Sequence, residues 1–197
     1  NFKKISIVNA RREVDNDVVL PVCTFSRICK EKGIEDAIKA VKEVNEQCGK
    51  CIYELTIFGK PDDGYVDRFN EIQETFPEYI KYGGLVDYHD TTDVLKNYYI
   101  LLFPTFHDGE GFPGTLIDAF AAGLPTVATN WNCNTEIIRD GYNGFIIPIK
   151  SPKILAEQLR FCADNKKMIK IMSDNCLEEA KKYKPETAIE NLLFALR

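Results

Sequence analysis

The sequence predicts an α/β fold: a Rossmann-like, doubly wound parallel sheet with helices on both faces and a helical C-terminal segment. Short apolar runs alternate with amphipathic segments of helical period along most of the chain. The run 17–25, DVVLPVCTF, is continuously apolar, which is typical of a strand buried on both faces of a parallel sheet. The chain has 197 residues, 45% of them hydrophobic, and shows no internal linker. We therefore expect one domain, 1–197.

The remaining elements follow in order from periodicity. After the first strand, apolar residues recur at helical spacing at Ile34, Ile38, Val41 and Val44. Strands are predicted over 53–59, 79–84, 98–104, 125–129 and 144–148. Helices are predicted over 65–76, 91–98 and 114–123, with an undefined segment over 134–141. The helical C-terminal part comprises 151–163, 165–183 and 185–197, and the opening residues 1–9 resemble a further strand.

In sheets of this kind, ligands bind outside the carboxyl ends of the strands. The candidate binding loops are therefore those that follow Phe25, Phe58, Gly84, Pro104 and Thr129.

Composition excludes several classes of protein. A net charge of -5 and a pI near 5.2 give no indication of nucleic-acid binding. No apolar run reaches the length of about 18 residues that a membrane span needs, and no signal peptide opens the chain, so we expect a cytoplasmic protein. Because the chain begins with Asn1, within a strand-like run, we expect it to be a fragment of a longer protein.

The cysteines indicate a reducing compartment rather than a disulfide framework, because they are seven in number and scattered. The CGKC motif, Cys48 to Cys51, lies between a helix end and a strand, whereas a redox pair should open a helix. His89 and His107 show no metal-ligand spacing. We therefore interpret the motif as a helix-to-strand turn with small buried thiols.

The stretch 109–114 spells G-x-G-x-x-G between a strand and a helix, where a dinucleotide-binding fingerprint would lie. The acidic residue that an NAD site needs about 20 positions later is missing, because Thr129 and Asn130 occupy that place. Glu110 would also put its charge against a pyrophosphate. The context therefore argues against NAD.

A carboxylate in a phosphate-binding loop is useful if it accepts hydrogen bonds from sugar hydroxyls. Pro113 suits the first turn of the following helix, and the free amides of 114–116 would then point at an anion. Asp118 lies one turn further and leans back toward the same ligand. Amides that bind an anion, with one carboxylate on each side for sugar hydroxyls, match the groups of a nucleoside diphosphate sugar.

A family resemblance supports this interpretation. Residues 110–118, EGFPGTLID, resemble the E-x7-E motif of GT-B glycosyltransferases, in particular the retaining family 4. The flanking stretches 118–130 and 135–148 are similar to the same family, and 26–41 is similar to its R-x4-K-G signature with Arg27 and Lys32 in place. The resemblance covers about 19–148.

The resemblance implies the donor-binding C-terminal domain of a glycosyltransferase that transfers sugar with retention in polysaccharide or glycoconjugate biosynthesis. It implies a missing N-terminal acceptor domain, no metal cofactor and at most peripheral membrane contact. Arg27 and Lys32 would hold the diphosphate, Glu110 the hexose and Asp118 the ribose, while the backbone of 84–86 would frame the base. The catalytic candidates are Arg27, Lys32 and Glu110. The donor-binding candidates are Gly59, Leu85, Val86, Gly111, Phe112, Pro113, Gly114, Thr115, Leu116 and Asp118.

Two departures from the family pattern leave questions open. Asp118 replaces the usual second glutamate, and NWNCNTE, 130–136, replaces a glycine-rich loop, so the roles of Trp131, Asn132 and Cys133 are undefined. Taken singly, Arg27 could equally belong to a surface ion pair. The alternatives for the whole chain are a non-catalytic nucleotide-sugar-binding domain and a Rossmann oxidoreductase domain. The donor base, the sugar, the acceptor and the oligomeric state stay open.

Overall fold

The structure, a computed structural model, describes residues 7–8 and 18–184 and contains a six-stranded parallel sheet. The strands are β1 (Leu20–Phe25), β2 (Tyr53–Phe58), β3 (Ile80–Gly84), β4 (Ile100–Phe103), β5 (Thr126–Thr129) and β6 (Gly144–Ile147). Their order is β3-β2-β1-β4-β5-β6, the Rossmann arrangement, so the predicted fold class is confirmed. The strand predicted over 1–9 lies almost wholly outside the described residues, and the helix predicted over 185–197 lies entirely outside them.

Helices connect the strands and cover the sheet. They are α1 (Ile34–Cys48), α2 (Val66–Gln73), α3 (Thr91–Leu95), α4 (Gly114–Ala121), α5 (Asn134–Ile137), α6 (Pro152–Asp164) and α7 (Lys166–Ala180). Short 3-10 segments lie at Lys30–Lys32, Asp63–Tyr65 and Lys181–Tyr183. In the described part of the chain, no helix is both long enough and apolar enough to span a bilayer.

Side chains of the sheet alternate between two hydrophobic cores. Along β1, Val22 belongs to the core under α1, α2 and α6, whereas Cys23 belongs to the core under α3, α4 and α5. Helix α7 reaches from the first core, where Met172 packs, to the second, where Cys176 packs. Both faces of the sheet are therefore covered, which explains the uninterrupted apolar pattern of its central strands.

The CGKC motif forms the predicted turn between α1 and β2. The buried Asn45 fixes this turn, because its Oδ1 accepts from the amides of Ile52 (2.8 Å) and Tyr53 (3.0 Å). The interpretation of its thiols as buried was wrong: Cys48 and Cys51 are both exposed and free. Asn45, rather than packing of the sulfurs, holds the turn in place.

The loops after β1 and β4 meet at the point where the strand order reverses. Gly33 has a left-handed φ of 71°, and a Cβ atom there would lie 2.2 Å from the carbonyl oxygen of Pro104. Only glycine allows this approach. It brings the residues that follow β1 against those that follow β4.

Candidate functional site

Lys32 and Glu110 form an ion pair at this reversal point. Lys32 ends the 3-10 segment after β1, and its Nζ donates a hydrogen bond to Oε2 of Glu110 in the loop after β4. The two side chains are only 9% and 10% exposed. The backbone joins the same loops, because the amide of Phe106 donates to the carbonyl of Glu31 at 2.7 Å. The structure thus brings together two of the three predicted catalytic residues.

A buried charge pair needs further hydrogen bonds to offset the loss of water. The buried Thr105 supplies one, because its hydroxyl donates to Oε2 of Glu110 at 2.8 Å. The hydroxyl of Thr129, at the end of β5, donates to the carbonyl of Thr105, and the side-chain amide of Asn134 donates to the carbonyl of Thr129 at 3.1 Å. A polar network therefore runs from β5 to the charged pair.

The loop after β5 holds the loop that carries Glu110. Nε1 of Trp131 donates to the carbonyl of His107 at 2.9 Å. Nδ2 of Asn132 donates to the carbonyls of Glu110 (3.0 Å) and Asp108 (3.3 Å). Asn132 itself has a left-handed φ of 43°, a conformation that asparagine tolerates better than most residues. These are two of the residues whose roles the sequence left undefined.

Arg27 is an exposed residue that pairs with Asp62 rather than with Glu110. Its side chain is 58% exposed and donates through Nη1 to Oδ2 of Asp62, in the loop after β2, at 2.9 Å. The amide of Asp62 donates to the carbonyl of Ile28 at 2.9 Å, which fixes this carboxylate beside Arg27. A phosphate that binds Arg27 has to compete with Asp62.

The N-terminus of α4 is partly available to an anion. Pro113 is the N-cap residue, with φ -77° and ψ 106°, rather than a member of the first turn. The expectation of a free Leu116 amide was wrong, because this amide donates to the carbonyl of Pro113 at 3.0 Å. Gly114 and Thr115 are the first two helical residues, whose amides have no carbonyl one turn earlier in the helix. A Cβ atom on Gly111 or Gly114 would meet open space, so both glycines leave room beside the loop.

Phe112 and Asp118 flank this helix start. Phe112 is 58% exposed and packs against Tyr183, with 5.9 Å between the ring centroids. Asp118 lies one turn after Gly114 and is partly buried. Their roles toward the donor stay predictions.

The predicted donor-binding Gly59 lies at the end of β2, and the backbone of 84–86, which was predicted to frame the base, lies at the end of β3. The amide of Gly59 donates to the carbonyl of Gly84 at 2.9 Å. Gly59 has φ 134°, and a Cβ atom there would lie 1.7 Å from the carbonyl oxygen of Ser26, so backbone packing alone requires this glycine. Leu85 is 70% exposed, whereas Val86 packs against the second core. Leu85 is therefore open to solvent, and its role toward the base stays a prediction.

Sequence reasoning missed Thr105, Thr129 and Asp62 as parts of the site. Thr105 and Thr129 lie just past β4 and at the end of β5, and a polar residue at the end of a buried strand is the signal that could have found them. Among residues 7–8 and 18–184, no three His, Cys, Asp or Glu side chains are grouped to hold a metal ion.

The strand order and the loops that meet at the reversal point define a Rossmann-like α/β domain of the kind that forms half of a GT-B glycosyltransferase. Residues 18–165 match the model of a family described as Glycosyl transferases group 1. The chain belongs to this family.

Similar proteins are longer than this chain. The uncharacterized glycosyltransferase MJ1069 of Methanocaldococcus jannaschii is 24% identical over 160 residues, which cover 79% of this chain and 39% of that protein. The GtfA subunit of a UDP-N-acetylglucosamine–peptide N-acetylglucosaminyltransferase from Streptococcus agalactiae is 30% identical over 72% of this chain and 27% of its own length. The chain thus spans well under half of each of these two proteins.

Solved structures share the fold. Anabaena Alr3699/HepE in complex with UDP-glucose superposes with a TM-score of 0.78 at 18% identity, over 92% of this chain and 49% of that one. The C-terminal domain of a group 1 family glycosyl transferase (LpcC) from Francisella tularensis has a TM-score of 0.77 at 20% identity, over 92% of this chain and 96% of that one.

Proposed function

We propose that this chain binds the nucleoside diphosphate sugar donor of a retaining glycosyltransferase. In the whole protein, we propose, this donor supplies sugar to an acceptor in polysaccharide or glycoconjugate biosynthesis. The observation that carries the proposal is the buried Lys32–Glu110 pair, which presents a cation and a carboxylate together at the reversal point. A cation suits a diphosphate, and a carboxylate suits sugar hydroxyls. The complexes of Alr3699/HepE with UDP and with UDP-glucose, which share this fold, support it.

The ion pair does not block either role. A lysine ammonium has three donors, and Glu110 takes one of them, which leaves two for phosphate oxygens. Both hydrogen bonds that Glu110 accepts within the described residues go to Oε2, which leaves Oε1 for a hexose hydroxyl. Each partner thus orients the other before the donor arrives.

In the transfer step that we propose, the bond between the sugar and the diphosphate breaks, and negative charge develops on the departing phosphate. Lys32, Arg27 and the amides of Gly114 and Thr115 stabilise that charge. Donors of this kind, fixed in advance, usually supply the largest contribution to catalysis. We propose that these groups serve the diphosphate without a divalent cation.

Ligand binding tests the proposal. In a thermal-shift panel, UDP or GDP and their sugar conjugates should stabilise the chain, NAD should not, and excess EDTA should leave the shifts intact. Stabilisation by NAD alone would favour the oxidoreductase alternative. Loss of binding with EDTA, restored by magnesium or manganese, would contradict the metal-free site.

Arg27 allows a test that spares the buried pair. Arg27→Ala should weaken diphosphate binding about tenfold to a hundredfold and leave nucleoside binding unchanged, because a charge-assisted hydrogen bond is lost. Arg68→Ala is the matched control, since Arg68 is also about half exposed and also paired with a carboxylate, that of Glu35. Equal diphosphate affinity in both variants would assign Arg27 to its ion pair alone.

A further inference from the structure

The loop that carries Glu110 is held partly by its own hydrogen bonds, including the one from the Glu110 amide to the carbonyl of His107 (3.0 Å), and partly by residues outside it. Residues 104–113 contain Gly109 and Gly111, and glycine restricts the backbone less than any other residue. Three carbonyl groups of this loop, at His107, Asp108 and Glu110, accept hydrogen bonds from side chains of the loop after β5. The position of Glu110 therefore depends on residues outside its own loop.

Asn132 combines two properties that no other common residue offers here. Its φ of 43° favours glycine or asparagine, and glycine has no side chain to donate. Its amide group donates to two carbonyls, one of them the carbonyl of Glu110 itself. An aspartate would fit the backbone, but its carboxylate would face these carbonyls as a second acceptor.

We infer that Trp131 and Asn132 are positioning residues that hold the Glu110 carboxylate in place for the donor sugar, and so set the sugar-dependent part of donor affinity. The inference rests on the proposed function. Trp131 holds the loop at His107, and Asn132 holds it at Glu110 itself. A site of this kind has to be held within about 0.5 Å of its productive geometry, and surrounding hydrogen bonds provide that precision.

Asn132→Gly isolates the side chain, because glycine accepts the same backbone conformation without strain. Trp131→Phe removes the N–H donor and keeps a smaller aromatic ring. Asn97→Gly is the matched control: Nδ2 of Asn97 also donates to two carbonyls, those of Asp93 (2.8 Å) and Val94 (3.2 Å), but it lies between α3 and the start of β4.

The experiment compares each sugar conjugate with its own nucleoside diphosphate by calorimetry on the 197-residue chain. The unsubstituted chain is first titrated with UDP, GDP, UDP-glucose, UDP-N-acetylglucosamine and GDP-mannose. The sugar gain is the ratio of the affinity for a conjugate to the affinity for its own diphosphate, and the conjugate with the greatest sugar gain is used for the variants. In Asn132→Gly the sugar gain should fall about tenfold, while the affinity for the diphosphate stays within about twofold of that of the unsubstituted chain. Trp131→Phe should show a smaller loss of the same kind, Asn132→Asp a larger one, and Asn97→Gly none.

Equal losses for the conjugate and the diphosphate would show a general structural role and overturn the inference. An unchanged gain in Asn132→Gly, or no gain in the unsubstituted chain, would overturn it as well. Failure of the unsubstituted chain to bind any diphosphate would instead refute the proposed function.

Discussion

Lys32 and Glu110, 78 positions apart in sequence, neutralise each other where little water reaches them. Lys32→Met should destabilise the fold by about 3–5 kcal/mol, because it leaves the Glu110 carboxylate buried without its cation. Glu110→Gln should also cost stability. The double variant should lose less than the two single losses combined, since neither charge is then stranded. Urea unfolding of the four proteins measures this coupling, and additive losses would show that the pair is not coupled.

Two glycines with left-handed φ angles should differ in what they tolerate. Gly59→Ala should be severely destabilising, because the new Cβ would meet the carbonyl of Ser26 and φ is 134°, a region almost restricted to glycine. Gly84→Ala, with φ 73° and no atom within 4 Å of the new Cβ, should cost only about 1–2 kcal/mol. Thermal unfolding of both variants compares them, and equal losses would argue against the close approach at Gly59.

The charged candidate residues could be predicted from the sequence, whereas the residues that hydrogen-bond to them or to their loops could not. Glu110 stood out because a charge between two glycines has few other uses, whereas Lys32 was indicated by its resemblance to the R-x4-K-G signature. Trp131 and Asn132 bind backbone carbonyls, which every residue has, so no sequence pattern indicates them. The pairing of Arg27 with Asp62 depends on how two loops approach each other, which spacing does not reveal.

At the scale of elements, periodicity predicted the order and type of the strands and most helices, but not their ends. Helix α4 was predicted over 114–123 and ends at Ala121, because Gly123 turns the chain with φ 64°. Helix α5 covers only Asn134–Ile137, too short for a helical period to be visible in the sequence.

Helices α1 and α2 are joined by Glu35, which accepts from Arg68 (2.9 Å) and from the hydroxyl of Tyr65 (2.9 Å). These two donors hold the pKa of Glu35 below its usual value of 4.5. A depressed carboxylate pKa stabilises the fold above the unfolded pKa, and this contribution disappears as pH falls through the folded pKa.

Glu35→Gln should therefore cost about 0.5–1 kcal/mol at pH 7, a modest value because the pair is partly exposed, and should cost nothing in strong acid. Glu71→Gln, which removes the more exposed partner of Arg68, is the control and should cost less. Denaturant unfolding across pH 2 to 7 tests this, and a gap between Glu35→Gln and the unsubstituted chain that persists in strong acid would contradict it.

For the whole molecule, we expect donor binding without acceptor transfer by the 197-residue chain. The GtfA relative from Streptococcus agalactiae is covered over only 27% of its length, and we propose that an acceptor domain lies in the part of the whole protein that corresponds to the remainder. Loss of acceptor positioning can remove about 7–11 kcal/mol of rate acceleration. The test incubates the chain and the full-length parent with donors and candidate acceptors. Transfer by the chain at the parent's rate would show that the site is complete within these residues.

The central position of β1 also sets the order in which the sheet can assemble during synthesis. Strand β1 is made first of the six, yet it pairs with β2 on one edge and with β4 on the other. During synthesis, β1, β2 and β3 can assemble early, while the β4 edge of β1 stays unpaired until β4 leaves the ribosome. Because Lys32 belongs to the early half and Glu110 to the late half, the proposed donor site lies where the two halves meet. A nascent chain therefore forms the Lys32–Glu110 pair, and with it the proposed site, only when the two halves of the sheet join.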